Sequence, residues 1–212
     1  MRSLPEDRTA RAVIRDEALR LFAAHGPDAV TIRQVATAAS VSPGLVVHHF
    51  GSKEGLREAV DRYVVGAFEE MLGQMTSASG PDLFDPSATR SLAEAVVAHL
   101  PPDSPAPAYL RRLLLADGTD GSGRRLFRQL FDLSKATLAE LARAGLASPG
   151  ADPDVRAAFL MANDLSVLLL REHLTDILGS DPLTRDGMAR WAREAMAVYG
   201  PGLLANPEGG QQ

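Results

Sequence analysis

Between Thr31 and Lys53 the apolar positions fall into two short helical registers. Ile32, Val35, Ala36 and Ala39 recur at three- and four-residue intervals, which puts them on one face and leaves Arg33, Gln34 and Thr37 on the other. Thr31, with Gln34 three residues on, forms a capping box, and Val30 with Val35 occupies the positions of a hydrophobic staple. This helix is about two turns long. Ser42 serves as a second N-cap, Pro43 suits a first helical position because its missing N–H would be unpaired there, and Val41 with Val46 repeats the staple. Val46 and Phe50, four apart, face a core together and turn Pro43, Gly44, Leu45, Val47 and His48 or His49 outward. Gly51 stops the helix and Ser52 caps the next.

The remaining elements are also helical, separated by Pro and Gly punctuation. A helix over Arg11–Gly26 precedes the pair. Ser52 opens a long helix through Ala59, Val60, Val64, Phe68, Met71 and Met75, which Ser79-Gly-Pro-Asp82 ends. Helices are expected from Ser87 to Leu100, from Ala106 to Ala116 and, after the loop Gly118–Gly123, from Arg124 to Ala144. Asp152-Pro153 begins a helix reaching Leu178, and Asp181-Pro182 opens a last one reaching Tyr199. The tail Asn206–Gln212 reads as disordered. The fold class is all-α.

Two short capped helices joined by a tight turn, with one side left free, have the shape of a helix-turn-helix DNA reader. Here residues 8 to 60 resemble the N-terminal domain of the TetR family of bacterial transcriptional regulators. The first helix resembles the family's A-x-x-L-F-x-x-x-G element through Ala18, Leu21, Phe22 and Gly26. The Val41-Ser-Pro-Gly44 turn, the Phe50-Gly-Ser-Lys53 junction and Leu56 fall in the same register. The resemblance implies a three-helix DNA-binding domain at residues 1–52, a helical effector-binding and dimerisation domain at 53–205, and the tail at 206–212. It also implies roles for side chains. Thr31 and Arg33 match contacts from the first reader helix, Pro43, Gly44, Leu45, Val47, His48 and His49 lie along the recognition helix, and Lys53 matches a lysine that pairs with phosphate. The chemistry suits them: Arg33 can fork onto guanine O6 and N7, an imidazole N–H can donate to phosphate oxygen, and Lys53 is a mobile point charge.

The chain departs from the family at two of these positions. Val47 stands where members usually carry Tyr, and Leu45 where a small hydroxyl residue is frequent. Aliphatic side chains cannot donate to phosphate, but they can pack on thymine methyl groups. Val47 either makes that contact or lies partly buried against the first helix and reads nothing. Adjacent residues on a helix point about 100° apart, so only one of His48 and His49 is expected as a main contact.

Charge agrees with a reader at one end only. The chain carries a net −5, yet residues 1–53 hold seven Lys and Arg against five Asp and Glu, a net +2, and the rest carries −7. Apolar content of 45% with only 5% aromatic residues favours packed helices over sheet. The absence of cysteine removes disulfides and thiolate metal sites and fits a reducing cytoplasm. No long apolar run suggests a membrane span. An enzyme is disfavoured: there is no G-x-S-x-G elbow, no cysteine nucleophile and no H-E-x-x-H, and Gly118–Gly123 lacks both the preceding strand and the lysine of a phosphate-binding loop. His173 and Asp176 share a helix face, but two ligands do not make a metal site. No cofactor is expected.

In Leu165-Ser-Val-Leu-Leu-Leu170 apolar residues occupy nearly the whole circumference, so both faces need cover, one from the subunit's own core and the other from a partner subunit; the alternative is a core helix of a monomer. Paired with the last helix, through Met188, Trp191, Ala192, Ala195 and Tyr199, this stretch is expected to form a four-helix bundle across a two-fold axis, as the resemblance also implies. Such a homodimer predicts a palindromic double-stranded operator. Phe68, Met71, Tyr109, Leu113, Phe127, Phe131, Phe159 and Asn163 are the candidate lining of a mostly apolar pocket for a small-molecule effector. The expected function is a ligand-responsive regulator, by analogy a repressor. The alternative is a helical small-molecule-binding or scaffold protein whose reader is degenerate.

Overall fold

The computed structural model describes residues 5–79, 94, 96, 98–99, 101, 103–115 and 121–203. Among them there are nine helices and no strand: α1 (Pro5–His25), α2 (Ile32–Ala38), α3 (Pro43–Phe50), α4 (Lys53–Ser79), α5 (Ala106–Leu115), α6 (Ser122–Arg143), α7 (Pro153–Leu169), α8 (Arg171–Leu178) and α9 (Arg185–Leu203). The all-α expectation holds. The helix expected over Ser87–Leu100, the punctuation following Ser79, most of the Gly118–Gly123 loop and the tail Asn206–Gln212 lie largely or wholly outside the described residues.

The chain forms two compact units that do not follow its order. One comprises residues 1–66 with 104–126, the other 67–103 with 127–212. In the first, α1 buries Ile14, Ala18 and Phe22 completely, a four-residue repeat along one face, and Val46 of α3 and Leu56 and Val60 of α4 are completely buried as well. The unit also includes α5, which the chain supplies from roughly ninety residues further on. Tyr109 of α5 is fully buried and stacks on Phe22 with ring centroids 6.4 Å apart. Arg112 donates from Nε to the carbonyl of Ala23 at 3.1 Å and from Nη2 to that of Ala24 at 2.8 Å. The last carbonyls of α1 have no partner within their own helix, so this guanidinium caps them from another element.

In the second unit Leu138 of α6 and Ala157 of α7 form a core cluster with Ala147, and Phe131, Leu141 and Leu160 pack around it. The helix expected to run unbroken from Asp152 to Leu178 is two helices. Its start is as read, since the Asp152 carboxylate accepts from the N–H groups of Asp154 and Val155 and Pro153 follows. It breaks at Leu170, whose φ of −103° and ψ of 13° leave the helical range. Ser166 Oγ donates back to the Asn163 carbonyl, a bond that bends helices, and Arg171 forks onto Asp181 through Nε at 3.0 Å and Nη2 at 2.5 Å. That fork also moves the start of α9. Asp181, expected to open the last helix, gives its carboxylate to Arg171 and to the Leu183 N–H, and α9 begins at Arg185 with Thr184 Oγ1 accepting from the Gly187 N–H.

Candidate nucleic-acid interface

The local reading of residues 30–53 is realised bond by bond. Thr31 Oγ1 accepts from the Gln34 N–H at 3.2 Å while Gln34 Oε1 accepts from the Thr31 N–H at 2.8 Å, which closes the capping box. Val30 and Val35 are both buried. The turn closes with the Val41 N–H on the Ala36 carbonyl at 2.9 Å, and Ser40 takes a left-handed φ of 56°. Ser42 Oγ accepts from the Leu45 N–H at 3.2 Å and Pro43 occupies the first turn, so α3 starts where its cap directs. Gly51, at φ 75°, ends α3, and Ser52 Oγ caps α4 through the Gly55 N–H. Each cap of this kind contributes about 1 kcal/mol.

Packing under α3 determines what it presents. Val46 is completely buried and Phe50 half-buried, which anchors one side. Pro43, Gly44, Val47 and His48 are exposed on the other, with Leu45 half-buried at the edge. Val47 is 45% exposed, so part of its side chain is open to solvent. The two histidines differ: His48 faces solvent, whereas His49 is half-buried with its ring between those of His48 and Phe50, at 5.5 and 6.2 Å. On α2 and its cap, Arg33 and Thr31 are exposed. Thr31, Arg33, Val47 and His48 are therefore side chains exposed on this surface, which offers a fork donor, an imidazole and an aliphatic patch, while the Thr31 hydroxyl accepts from the Gln34 N–H and donates to the Gln34 side-chain oxygen.

Lys53 differs from the expectation of a mobile charge. Its Nζ donates to the Asp28 carbonyl at 2.8 Å and ties the start of α4 to the turn between α1 and α2. We expect Lys53→Ala to weaken binding to all duplexes alike and to lower the slope of log affinity against log salt by about 1, through loss of one phosphate contact. It should also cost about 1 kcal/mol of stability through the lost tether. Anisotropy titrations at several salt concentrations and a urea melt check the two effects separately.

The candidate effector residues are divided. Tyr109 and Leu113, read as pocket lining, belong to the first unit and are buried there. Tyr109 Oη donates to Asp61 Oδ1 at 2.6 Å, so its polar end is already occupied. The other six belong to the second unit: Phe68 is buried, Met71, Phe131 and Asn163 are half-buried, and Phe127 and Phe159 are exposed. The sequence reading missed the polar cluster around Tyr109. Arg57 of α4 is 5% exposed and pairs with Glu54 at 2.5 Å, and Arg125 of α6 stands 3.7 Å from the same carboxylate. Burial pushes the Asp61 carboxyl above its usual range, against the pull of the Tyr109 hydroxyl and the nearby Arg57. The only sequence signal was charge inside an otherwise apolar helical face.

Comparison with known proteins agrees with this geometry. Residues 14–60 match the family model for bacterial regulatory proteins of the tetR family, and residues 103–205 match a tetracyclin repressor-like C-terminal domain. The HTH-type transcriptional regulatory protein RaaS of Mycobacterium tuberculosis is 36% identical over 204 residues, covering 94% of this chain and 89% of its own. Among solved structures, SmeT of Stenotrophomonas maltophilia in complex with triclosan superposes with a TM-score of 0.65 at 22% identity, covering 94% of this chain and 93% of that one. The fatty acid degradation regulator FadR of Bacillus halodurans gives 0.66 at 16% identity, with 92% and 96% covered. At those identities the two structures speak to the fold alone, and the full-length relative speaks to the family. The chain thus belongs to the tetR family of bacterial regulatory proteins, regulators of transcription that bind DNA through a helix-turn-helix.

Proposed function

We propose that the chain is a ligand-responsive repressor that binds a palindromic operator as a homodimer and is released by a small apolar effector in the cytoplasm. Residues 1–52 read the DNA, and residues 53–205 bind the effector and dimerise. The observation that carries the reading is the capped α2–α3 pair, with Val46 buried beneath it and Thr31, Arg33, Val47 and His48 left outside. Arg33 forks onto a guanine, Val47 packs on a thymine methyl, and His48 and Lys53 serve phosphates.

Of the residues read as the dimer seam, Leu165, Val167, Leu168, Met188 and Ala192 are already buried within the subunit. What supports dimerisation through this region is a different set of large apolar side chains left in solvent on α7, α8 and α9 and at the break between α7 and α8: Val155, Phe159, Leu170, Ile177 and Val198, each at least 46% exposed. An effector site within the second unit is supported by Phe68, Met71, Phe131 and Asn163, an apolar set with one polar handle, and by the triclosan found in SmeT. Release follows if the effector displaces α4, which begins beside the recognition helix, and so changes the spacing of two heads that must fit one operator. A coupling of about 1–3 kcal/mol gives a several-fold to hundredfold change in affinity. Among the described residues no helix is long and apolar enough to cross a membrane.

The test is selection of bound duplexes from a random pool, followed by sequencing. The expected product is a palindrome whose half-sites are separated by about 10 base pairs, or a multiple of that. An unenriched pool at low salt would instead favour the helical scaffold with a degenerate reader.

A further inference from the structure

The recognition helix has a deficit in charge. Residues Pro43–Phe50 include no Lys or Arg, and the next cation along the chain, Lys53, is a single charge with one of its three N–H donors already on the Asp28 carbonyl. Phosphate contacts nevertheless supply most of the affinity of a DNA reader, and they come chiefly from Arg and Lys. The missing charge stands beside the C-terminal end of α3, on other helices. There, in the first unit, a cleft of about 330 Å³ is lined by Arg11 and Arg15 of α1, Phe50 of α3, and Arg62 and Tyr63 of α4, over an alanine floor.

The three arginines are not equivalent. Arg15 lies over the Tyr63 ring at 3.7 Å and is neutralised by Asp16 at 2.6 Å. Arg62 stands 3.8 Å from Glu58, a loose pair with both partners in solvent, which leaves most of its charge available. Arg11 is exposed and has no carboxylate partner among the described residues; its guanidinium sits over the Phe50 ring, 5.5 Å from the centroid. The ring attracts the guanidinium electrostatically without taking its N–H donors, which can fork phosphate oxygens in pairs. The Phe50 ring is in turn next to that of His49, and His49 next to that of His48, so Arg11 stands beside the C-terminal end of α3.

We propose that this cleft holds a backbone phosphate of the operator just beyond the end of the recognition helix, with Arg11 as its principal ligand and Arg62 as the second. α1 thereby provides the anchoring charge that α3 lacks. The proposal rests on the reader docking on duplex DNA, and its test separates the two.

Full-length wild type, Arg11→Ala, Arg11→Lys, Arg62→Ala and, as a control, Arg20→Ala are titrated into the selected operator duplex over a range of salt. Arg20 is an exposed α1 residue paired with Glu17 at 2.9 Å and outside the cleft. Arg11→Ala should bind about tenfold more weakly near physiological salt and lower the slope of log affinity against log salt by about 0.9, the signature of one phosphate lost. Arg11→Lys should restore the slope, Arg62→Ala should show a smaller loss of the same kind, and Arg20→Ala should match wild type. Unchanged melting temperatures for the variants confirm that folding is not the cause. The proposal is overturned if Arg11→Ala matches wild type, or if Arg20→Ala loses as much, which would reduce the effect to bulk charge. It is overturned as well if inorganic phosphate shifts the Arg11 resonances at millimolar concentration while operator affinity ignores the substitution, since the cleft would then be a free-anion site. Wild type that binds no duplex even at low salt removes the docking itself, an outcome distinct from a wild type that binds beside an indifferent Arg11 variant.

Discussion

Tyr109→Ala is expected to destabilise the first unit by about 3–5 kcal/mol, the cost of emptying a large aromatic site in a packed core. The side chain is wholly buried, stacks on Phe22 of α1 and donates to Asp61 of α4, so it links three helices at one point. The sharper experiment is Tyr109→Phe, which keeps the packing and removes only the hydroxyl. Asp61 then loses its donor inside a partly desolvated site, at about 1–3 kcal/mol. A pH dependence follows with a definite sign. Burial already raises the Asp61 carboxyl, and the Tyr109 hydroxyl opposes that rise. Without the hydroxyl the folded state holds the Asp61 proton more tightly than the unfolded state does. Stability therefore falls, relative to wild type, as pH rises from about 3.9, the unfolded carboxylate value, through the raised folded one. Paired urea melts between pH 4 and 8 should show the two proteins closest in acid and furthest apart at neutrality. A constant difference across that range would mean that the hydroxyl does not act on Asp61.

Gly55→Ala is expected to damage DNA binding although Gly55 touches no DNA. A Cβ at this position would stand 2.1 Å from the carbonyl oxygen of Phe50 and 3.3 Å from its carbon. Both neighbours are backbone, so no side chain can rotate away, and the last turn of α3 or the first turn of α4 has to move. Overpacking of this kind costs about 1–3 kcal/mol. Either shift changes the junction that seats α3, which carries Val47 and His48, so operator affinity should fall by about tenfold to a hundredfold. Gly66→Ala is the matched control: it lies in the same helix, and a Cβ there meets nothing within 4 Å. It should bind like wild type and gain about 0.5–1 kcal/mol from helix propensity. If Gly55→Ala binds normally, the junction between α3 and α4 is softer than its geometry indicates.

The reader was legible in the sequence because every signal that defines it acts over a few residues. The Thr31–Gln34 box, the Ser42 cap with Pro43 behind it, and the Gly51 stop each involve partners within four positions, and each forms as read. The side-chain roles were less legible. Periodicity placed Val47 and one of the two histidines on the outer side of α3, but which histidine turned inward depended on the Phe50 ring. Nothing within α3 revealed that Lys53 would be held by Asp28, a carbonyl 25 residues earlier. The break at Leu170 and the late start of α9 were missed for a similar reason. Asp181-Pro182 is a good helix start on local grounds, and the Arg171 fork redirects its carboxylate from the next helix to the previous one.

Chain-local chemistry thus determined the all-α class, the helix-turn-helix and the caps that bound it, because a hydrogen bond to a neighbouring N–H competes only with water and needs no distant partner. Tertiary packing decided the rest. It placed α5 with the reader, where Arg112 closes the end of α1 and Tyr109 meets Asp61, although 48 residues separate that last pair. It also brought Arg11 to the edge of α3. Helical periodicity states only that a face will be buried, and the identity of what covers it depends on apolar area, which is non-directional and carries no address in sequence.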